Sequence, residues 1–144
     1  MENSHSIIIA DTSGLVSLFL PGDHNHAVAV KAAQKLQNQQ KDILIPAAVF
    51  VEFLNVLGRK VGHGPALAAA AELTAPFLIG GESADLSSAL KKFEMAPPAV
   101  SFTDCLVMAV ADEYTTRDIF GFDKQFADAG YRRLTPSTDW KEAA

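Results

Sequence analysis

The sequence predicts an α/β fold, a three-layer α/β/α sandwich around a central, mostly parallel sheet of four or five strands. Three observations predict it. Short runs of branched aliphatic residues recur without polar alternation, as in strands buried on both faces. Stretches of helical length separate them. A chain of 144 residues, 49% of them hydrophobic, suffices for one domain with one core. Residues 1–144 therefore read as a single domain, with the core at about 6–135 and a polar C-terminal tail.

Ile7-Ile8-Ile9-Ala10 is the first buried strand, and Asp11-Thr12-Ser13-Gly14 opens a helix that Val16, Leu18, Phe19 and Leu20 carry to the turn Pro21-Gly22-Asp23. Asn25 to Gln39 continues as a second helix, and Ile43-Leu44-Ile45 is a second strand. Pro46 stands where a helix over Ala47 to Val61 would begin, and Gly62-His63-Gly64-Pro65 ends that helix. An alanine-rich helix from Ala66 to Ala75 follows. Pro76 leads a third strand, Phe77-Leu78-Ile79, and a helix runs from Ser83 to Glu94 before the break at Pro97-Pro98. Ser101 to Tyr114 is apolar nearly all round, the mark of a central buried helix. Asp118 to Phe122 is a fourth strand, and Arg132-Arg133-Leu134 an edge strand. There is no internal repeat, low-complexity tract or linker.

The net charge of −5 argues against a general basic coat for nucleic acid but leaves room for a local basic rim around an acidic pocket. No apolar run approaches the roughly 18 residues of a membrane helix. The stretch Met1 to Ser6 lacks the basic region of a secretory signal, and the lone Cys105 can form no disulfide within the chain. A cytoplasmic location without a membrane partner is the expectation.

In a parallel sheet ligands bind beyond the carboxyl ends of the strands, and there the chain carries Asp11 after the first strand and Asp123 after the fourth. Glu52 lies within the third helix and Asp104 in the first turn of the buried one. Each also has a local explanation. Asp11 fits a helix N-cap and Asp123 a turn, while Ser101-Phe102-Thr103-Asp104 has the form of a capping box. Glu52, in Val49-Phe50-Val51-Glu52-Phe53-Leu54, would be costly unless a narrow polar stripe with Asn55 and Arg59 reaches water. As a set, the acids sit on elements that can bring them to one rim. Two carboxylates 4 Å apart would repel by about 4 kcal/mol at an effective dielectric of 20. Such a cluster needs protons or a cation, and all-oxygen ligation suits Mg²⁺ or Mn²⁺ and phosphodiester chemistry.

The same residues resemble a known family. Asp11-Thr12-Ser13-Gly14-Leu15 after an isoleucine-rich strand, Pro46 with Glu52, Thr103-Asp104-Cys105-Leu106 leading a hydrophobic helix, and Phe122-Asp123-Lys124-Gln125-Phe126 after a late strand are similar to the PIN domain, specifically to VapC-type toxin ribonucleases of toxin–antitoxin modules. The likeness runs from Ile7 to Leu134. It implies a metal-dependent endoribonuclease with Asp11, Glu52, Asp104 and Asp123 as catalytic and metal-binding acids, Asp11 and Asp104 foremost and Asp123 the more variable fourth. It further implies an RNA substrate, a cognate antitoxin and a homodimer. Ser13 and Thr103 stand as supporting hydroxyls, and Arg59, Lys60, Arg117 and Lys124 as candidates for phosphate contact. One departure is Gly121, where the family often carries Thr or Ser two residues before the fourth acid.

Other signals fail. Gly80-Gly81 is no phosphate-binding P-loop, and His24-Asn25-His26 and His63 read as loop. Cys105 reads as a buried structural thiol, Ser13 lacks a nucleophile elbow, and Trp140 packs on a surface. A receiver-like phosphoacceptor would need an acidic neighbour beside Asp11. The alternative to a nuclease is a catalytically silent PIN-like module that binds RNA or protein.

Overall fold

In the computed structural model, which describes residues 7–74, 78–80 and 83–138, four parallel strands form one sheet in the order β3-β2-β1-β4. These are β1 (Ile7–Ala10), β2 (Asp42–Pro46), β3 (Leu78–Gly80) and β4 (Ile119–Phe120). The helices are α1 (Thr12–Phe19), α2 (His26–Asn38), α3 (Ala47–Val61), α4 (His63–Thr74), α5 (Ser83–Met95), α6 (Phe102–Glu113) and α7 (Lys124–Asp128). Trp140 and the stretch 75–77, with the expected start of the third strand, lie outside the described residues.

The strands are short and apolar because they are covered on both faces: Ile8, Ile9, Ala10, Ile43, Leu44 and Ile45 are all buried. On α3 the residues Val49, Phe53 and Leu57 recur every four positions and are buried, so this helix lays one stripe on the sheet. Phe53 meets Phe19 of α1 with ring centroids 5.7 Å apart. In α6 every residue from Asp104 to Ala111 is buried, as its all-round apolar sequence requires.

Three boundaries differ from expectation. The chain breaks only at Gly62, which adopts φ 97°, and α4 already begins at His63. Pro65 is tolerated there because the first turn of a helix has no use for its missing N–H. The fourth strand shortens to two residues. The expected edge strand at Arg132–Leu134 reduces to a single bridge, Asp118 to Arg132. Among the described residues, only three strands are therefore three residues or longer. The cause lies at Gly121 and Phe122, which bend out of the sheet toward Ser13. The hydrogen bond from Leu134 N–H to the Gly121 carbonyl, 2.8 Å, still follows that bend.

The strand order positions everything that follows. The chain steps from β1 to β2 to β3 in one direction, then returns past β2 and β1 to place β4 on the other side of β1. Right-handed crossovers send the helices of the first two steps to one face and those of the return to the other. Between the ends of β1 and β4 the two crossovers diverge and leave a crevice, the switch point at which open parallel sheets bind ligands.

Candidate metal centre

Asp11 leaves β1 directly into this crevice. Its backbone N–H donates to the Phe120 carbonyl at 3.0 Å, continuing the β1–β4 ladder by one residue. It is the N-cap of α1: Oδ2 accepts from the Ser13 N–H at 3.2 Å and from the Ser13 hydroxyl at 2.9 Å. The same hydroxyl accepts from the Phe122 N–H at 2.9 Å. Ser13 thus ties Asp11 to the backbone that leads into Asp123.

Gly121 lies against this tie. A Cβ built on it would stand 2.7 Å from the Asp11 Cβ and 3.2 Å from the Ser13 Oγ. The missing side chain at 121 therefore makes room for the Asp11 carboxylate.

Asp104 arrives from α6. Ser101 and Asp104 form a capping box, with the Asp104 N–H donating to Ser101 Oγ and the Ser101 N–H donating to Asp104 Oδ2, both at 3.0 Å. The cap fixes the side chain without excluding a second role, since a carboxylate has about four acceptor sites. Asp123 is the N-cap residue of α7 but makes no capping hydrogen bond, so its carboxylate is free to face the crevice. Arg133 flanks it and donates from Nη1 to the Phe122 carbonyl at 2.8 Å.

Asp11, Asp104 and Asp123 each offer one oxygen within 4.8 Å of the others. Asp11 and Asp104 are buried and Asp123 is half-buried. Burial, reinforced by the charges of Asp123 and Asp104 and opposed by the Ser13 hydrogen bonds, pushes the Asp11 carboxyl up to about 7. Asp123 is raised as well, first by burial and then by Asp104, against the pull of Arg133. Three carboxylate oxygens this close form an all-oxygen donor set of the kind that suits a hard divalent cation.

The acids line a cleft of about 570 Å³ together with Thr12, Ser13 and Glu52. Glu52 stands outside the triad. It is exposed on α3, which resolves the cost of placing it among apolar neighbours, and its Oε1 accepts from the Thr12 hydroxyl at 2.5 Å. Thr103 does not line the cleft; the hydroxyls facing it belong to Thr12, Ser13, Ser17 and Ser101. Asp23 and His24, on the α1–α2 loop, also line it. Asp23 is held below its usual value by hydrogen bonds from Ser17 and the Asn25 N–H.

Among the basic candidates, Arg59 and Lys60 are exposed on the last turn of α3, and Lys124 is exposed at the start of α7 beside Asp123. Arg117 lies elsewhere. It precedes β4, at the opposite end of the strand from the acids, where it stacks 4.8 Å from the Tyr131 ring centroid and pairs with Asp112 at 3.6 Å. Sequence reasoning overlooked Arg133. Its signal was the Arg132-Arg133 pair after the fourth strand, whose two members point to opposite faces: Arg132 pairs with Asp118 at 2.7 Å, and Arg133 is the one that reaches the Phe122 carbonyl. Cys105 is fully buried and burial raises its thiol, consistent with a structural group.

The family model of the PIN domain matches residues 8–130. Among solved structures, the crystal structure of Mycobacterium tuberculosis VapC20, described as a sarcin-ricin loop cleaving toxin, is similar at a TM-score of 0.72 and 27% identity. The match covers 88% of this chain and 97% of that one. No curated protein matches.

Proposed function

Because the chain belongs to the PIN domain family, we propose that it is a divalent-metal-dependent endoribonuclease and the toxin of a type II toxin–antitoxin pair, acting through Asp11, Asp104 and Asp123 with Glu52 beside them. The observation that carries this reading is the convergence of three carboxylates at the switch point with Asp11 pushed up to about 7. That is an electrostatic arrangement poorly explained by helix capping alone. Asp11, Asp104 and Asp123 would hold Mg²⁺ or Mn²⁺. Once bound, the cation supplies positive charge for the phosphate and acidifies the attacking water.

The chain's own groups do the rest. Ser13 keeps the Asp11 oxygen aimed into the cleft, and the capping box does the same for Asp104. Glu52, steadied by Thr12, would accept a proton from the water as that oxygen bonds to phosphorus, while the ribose oxygen departs and takes up a proton from solvent. We assign phosphate contact to the exposed cations Arg59, Lys60 and Lys124, and no protein nucleophile is needed. The reading extends to a single three-layer domain over 1–144, a homodimer in the cytoplasm, and an antitoxin that covers the cleft. By analogy with the toxin it resembles, the first substrate to try is a sarcin-ricin loop RNA. No observation favours a silent module, because Gly121 makes room for an acid and removes none.

The test is cleavage of labelled RNA, beginning with that loop, by purified protein in Mn²⁺. Asp11→Asn and Asp104→Asn should each lose at least 100-fold in rate while keeping a native circular dichroism spectrum. Cleavage by both variants at the wild-type rate would overturn the assignment.

A further inference from the structure

Beside the acidic cleft lies a second cavity that the proposed chemistry does not use. It is a groove of about 520 Å³ between the end of α5, the α5–α6 connection, α6 and α7, and it shares Ala99 and Gln125 with the cleft. Its volume falls within the range of roughly 300–1,000 Å³ typical of small-ligand pockets. Val100 and Met108 give it a buried apolar floor, and the exposed Met95 and Pro97 an apolar rim. Hydrogen-bonding groups bound that floor: Gln125 at the junction, Asp128 further along α7, and the exposed Lys124.

We infer that this groove is a base-binding subsite that takes one unpaired nucleobase of an RNA strand whose neighbouring phosphate lies at the acids. The inference rests on the ribonuclease reading and adds where the flanking nucleotide goes. The continuity of the two cavities carries it, since a strand laid across the cleft passes Ala99 and Gln125 into the groove. The lining identifies the occupant. A base has two apolar faces and a polar edge, and single-stranded RNA is recognised by burying the faces and hydrogen bonding the edge. An aliphatic side chain would leave the Gln125 amide and Asp128 carboxylate unused. Lys124, next to Asp123 in the chain, is placed to meet the phosphate joining the two nucleotides.

The experiment uses the full chain labelled with ¹⁵N throughout and with ¹³C at the methionine methyls, in Ca²⁺, titrated with a mixed-sequence 2′-O-methyl RNA octamer. The expected result is a shift of the Met108 methyl and affinity at least 10-fold weaker in Ala129→Trp, which fills the groove from its exposed rim at the end of α7. Met95→Asp serves as a second variant. Met95 is 88% exposed, so the change leaves the fold intact while setting a negative charge against the strand. If the octamer shifts the amides of Asp11 and Asp104 but not the Met108 methyl, and both variants bind it as the wild type does, the subsite is overturned and the ribonuclease reading stands. If nothing shifts, the subsite fails, and lack of Mn²⁺-dependent cleavage then removes the ribonuclease reading as well. A Met108 shift produced by an apolar peptide and not by RNA also overturns it, in favour of a protein partner.

Discussion

Asp11 carries the electrostatic tension of the molecule. In the unfolded chain it ionises near 3.8, in the folded chain near 7. Between those values the folded state holds a proton that the unfolded state has released, so folding stability falls as pH rises through the window. The metal-free protein is therefore expected to melt at a higher temperature at pH 5 than at pH 7.5. Asp11→Asn should flatten that dependence, stabilising the apo protein above neutrality by up to about 4 kcal/mol, at 1.36 kcal/mol per pH unit, and having little effect near pH 4. Thermal melts in EDTA across pH decide it, and a wild-type midpoint that climbs steadily from pH 5 to 7.5 would contradict it. Gly121 is the steric counterpart. With a Cβ 2.7 Å from the Asp11 Cβ, Gly121→Ala must displace either β4 or the acid. It should lower stability by about 1–3 kcal/mol, as overpacking does, and weaken Mn²⁺ binding in calorimetry.

At the scale of elements, the start of α6 combines a structural and a chemical role in one carboxylate, and two substitutions separate them. Ser101→Ala removes the hydroxyl that accepts the Asp104 N–H and should cost about 1 kcal/mol, a loss of about 3 °C in Tm, with most of the cation affinity retained. Asp104→Asn keeps an oxygen for the Ser101 N–H and should change Tm little while abolishing cation binding. The opposite pattern, with metal lost in Ser101→Ala and kept in Asp104→Asn, would reduce Asp104 to a cap. A similar economy holds at α1, where Ser13 bonds both to its own N-cap and to the Phe122 N–H, so one hydroxyl couples the ends of β1 and β4.

For the whole molecule, the switch-point geometry implies linkage between cation binding and folding. The unfolded chain disperses the three acids and has no comparable site, so a cation at 100 times its dissociation constant stabilises the folded state by about 2.7 kcal/mol. At pH 7.5, saturating Mn²⁺ should raise Tm by about 8 °C, in line with 2–4 °C per kcal/mol for domains a little larger than this one. The gain should shrink at pH 5, where protons compete for the same oxygens, and vanish in Asp11→Asn. A Tm insensitive to Mn²⁺ in the wild type at pH 7.5 would show that the acids hold no ion in the absence of RNA.

Much of this architecture was legible before folding, because it depends on neighbours in the chain. The unbroken aliphatic runs Ile7–Ala10 and Ile43–Ile45 can only be buried strands in a domain this size, and the apolar circumference of α6 can only be central. The capping box at Ser101 and Asp104 is likewise a matter of three residues' spacing. What depended on the folded chain was distance between segments remote in sequence. The crossover that returns β4 to the side of β1 brings Asp123 within reach of Asp11, leaves Glu52 outside the triad on Thr12, and carries Arg117 to the far end of the strand. Gly121 shows the same division. As a letter it was a missing hydroxyl, and only the approach of Asp11 to its Cα gives it a purpose. Periodicity and capping are local and survive in one dimension, whereas desolvation, repulsion and steric fit arise only when separate elements share a volume.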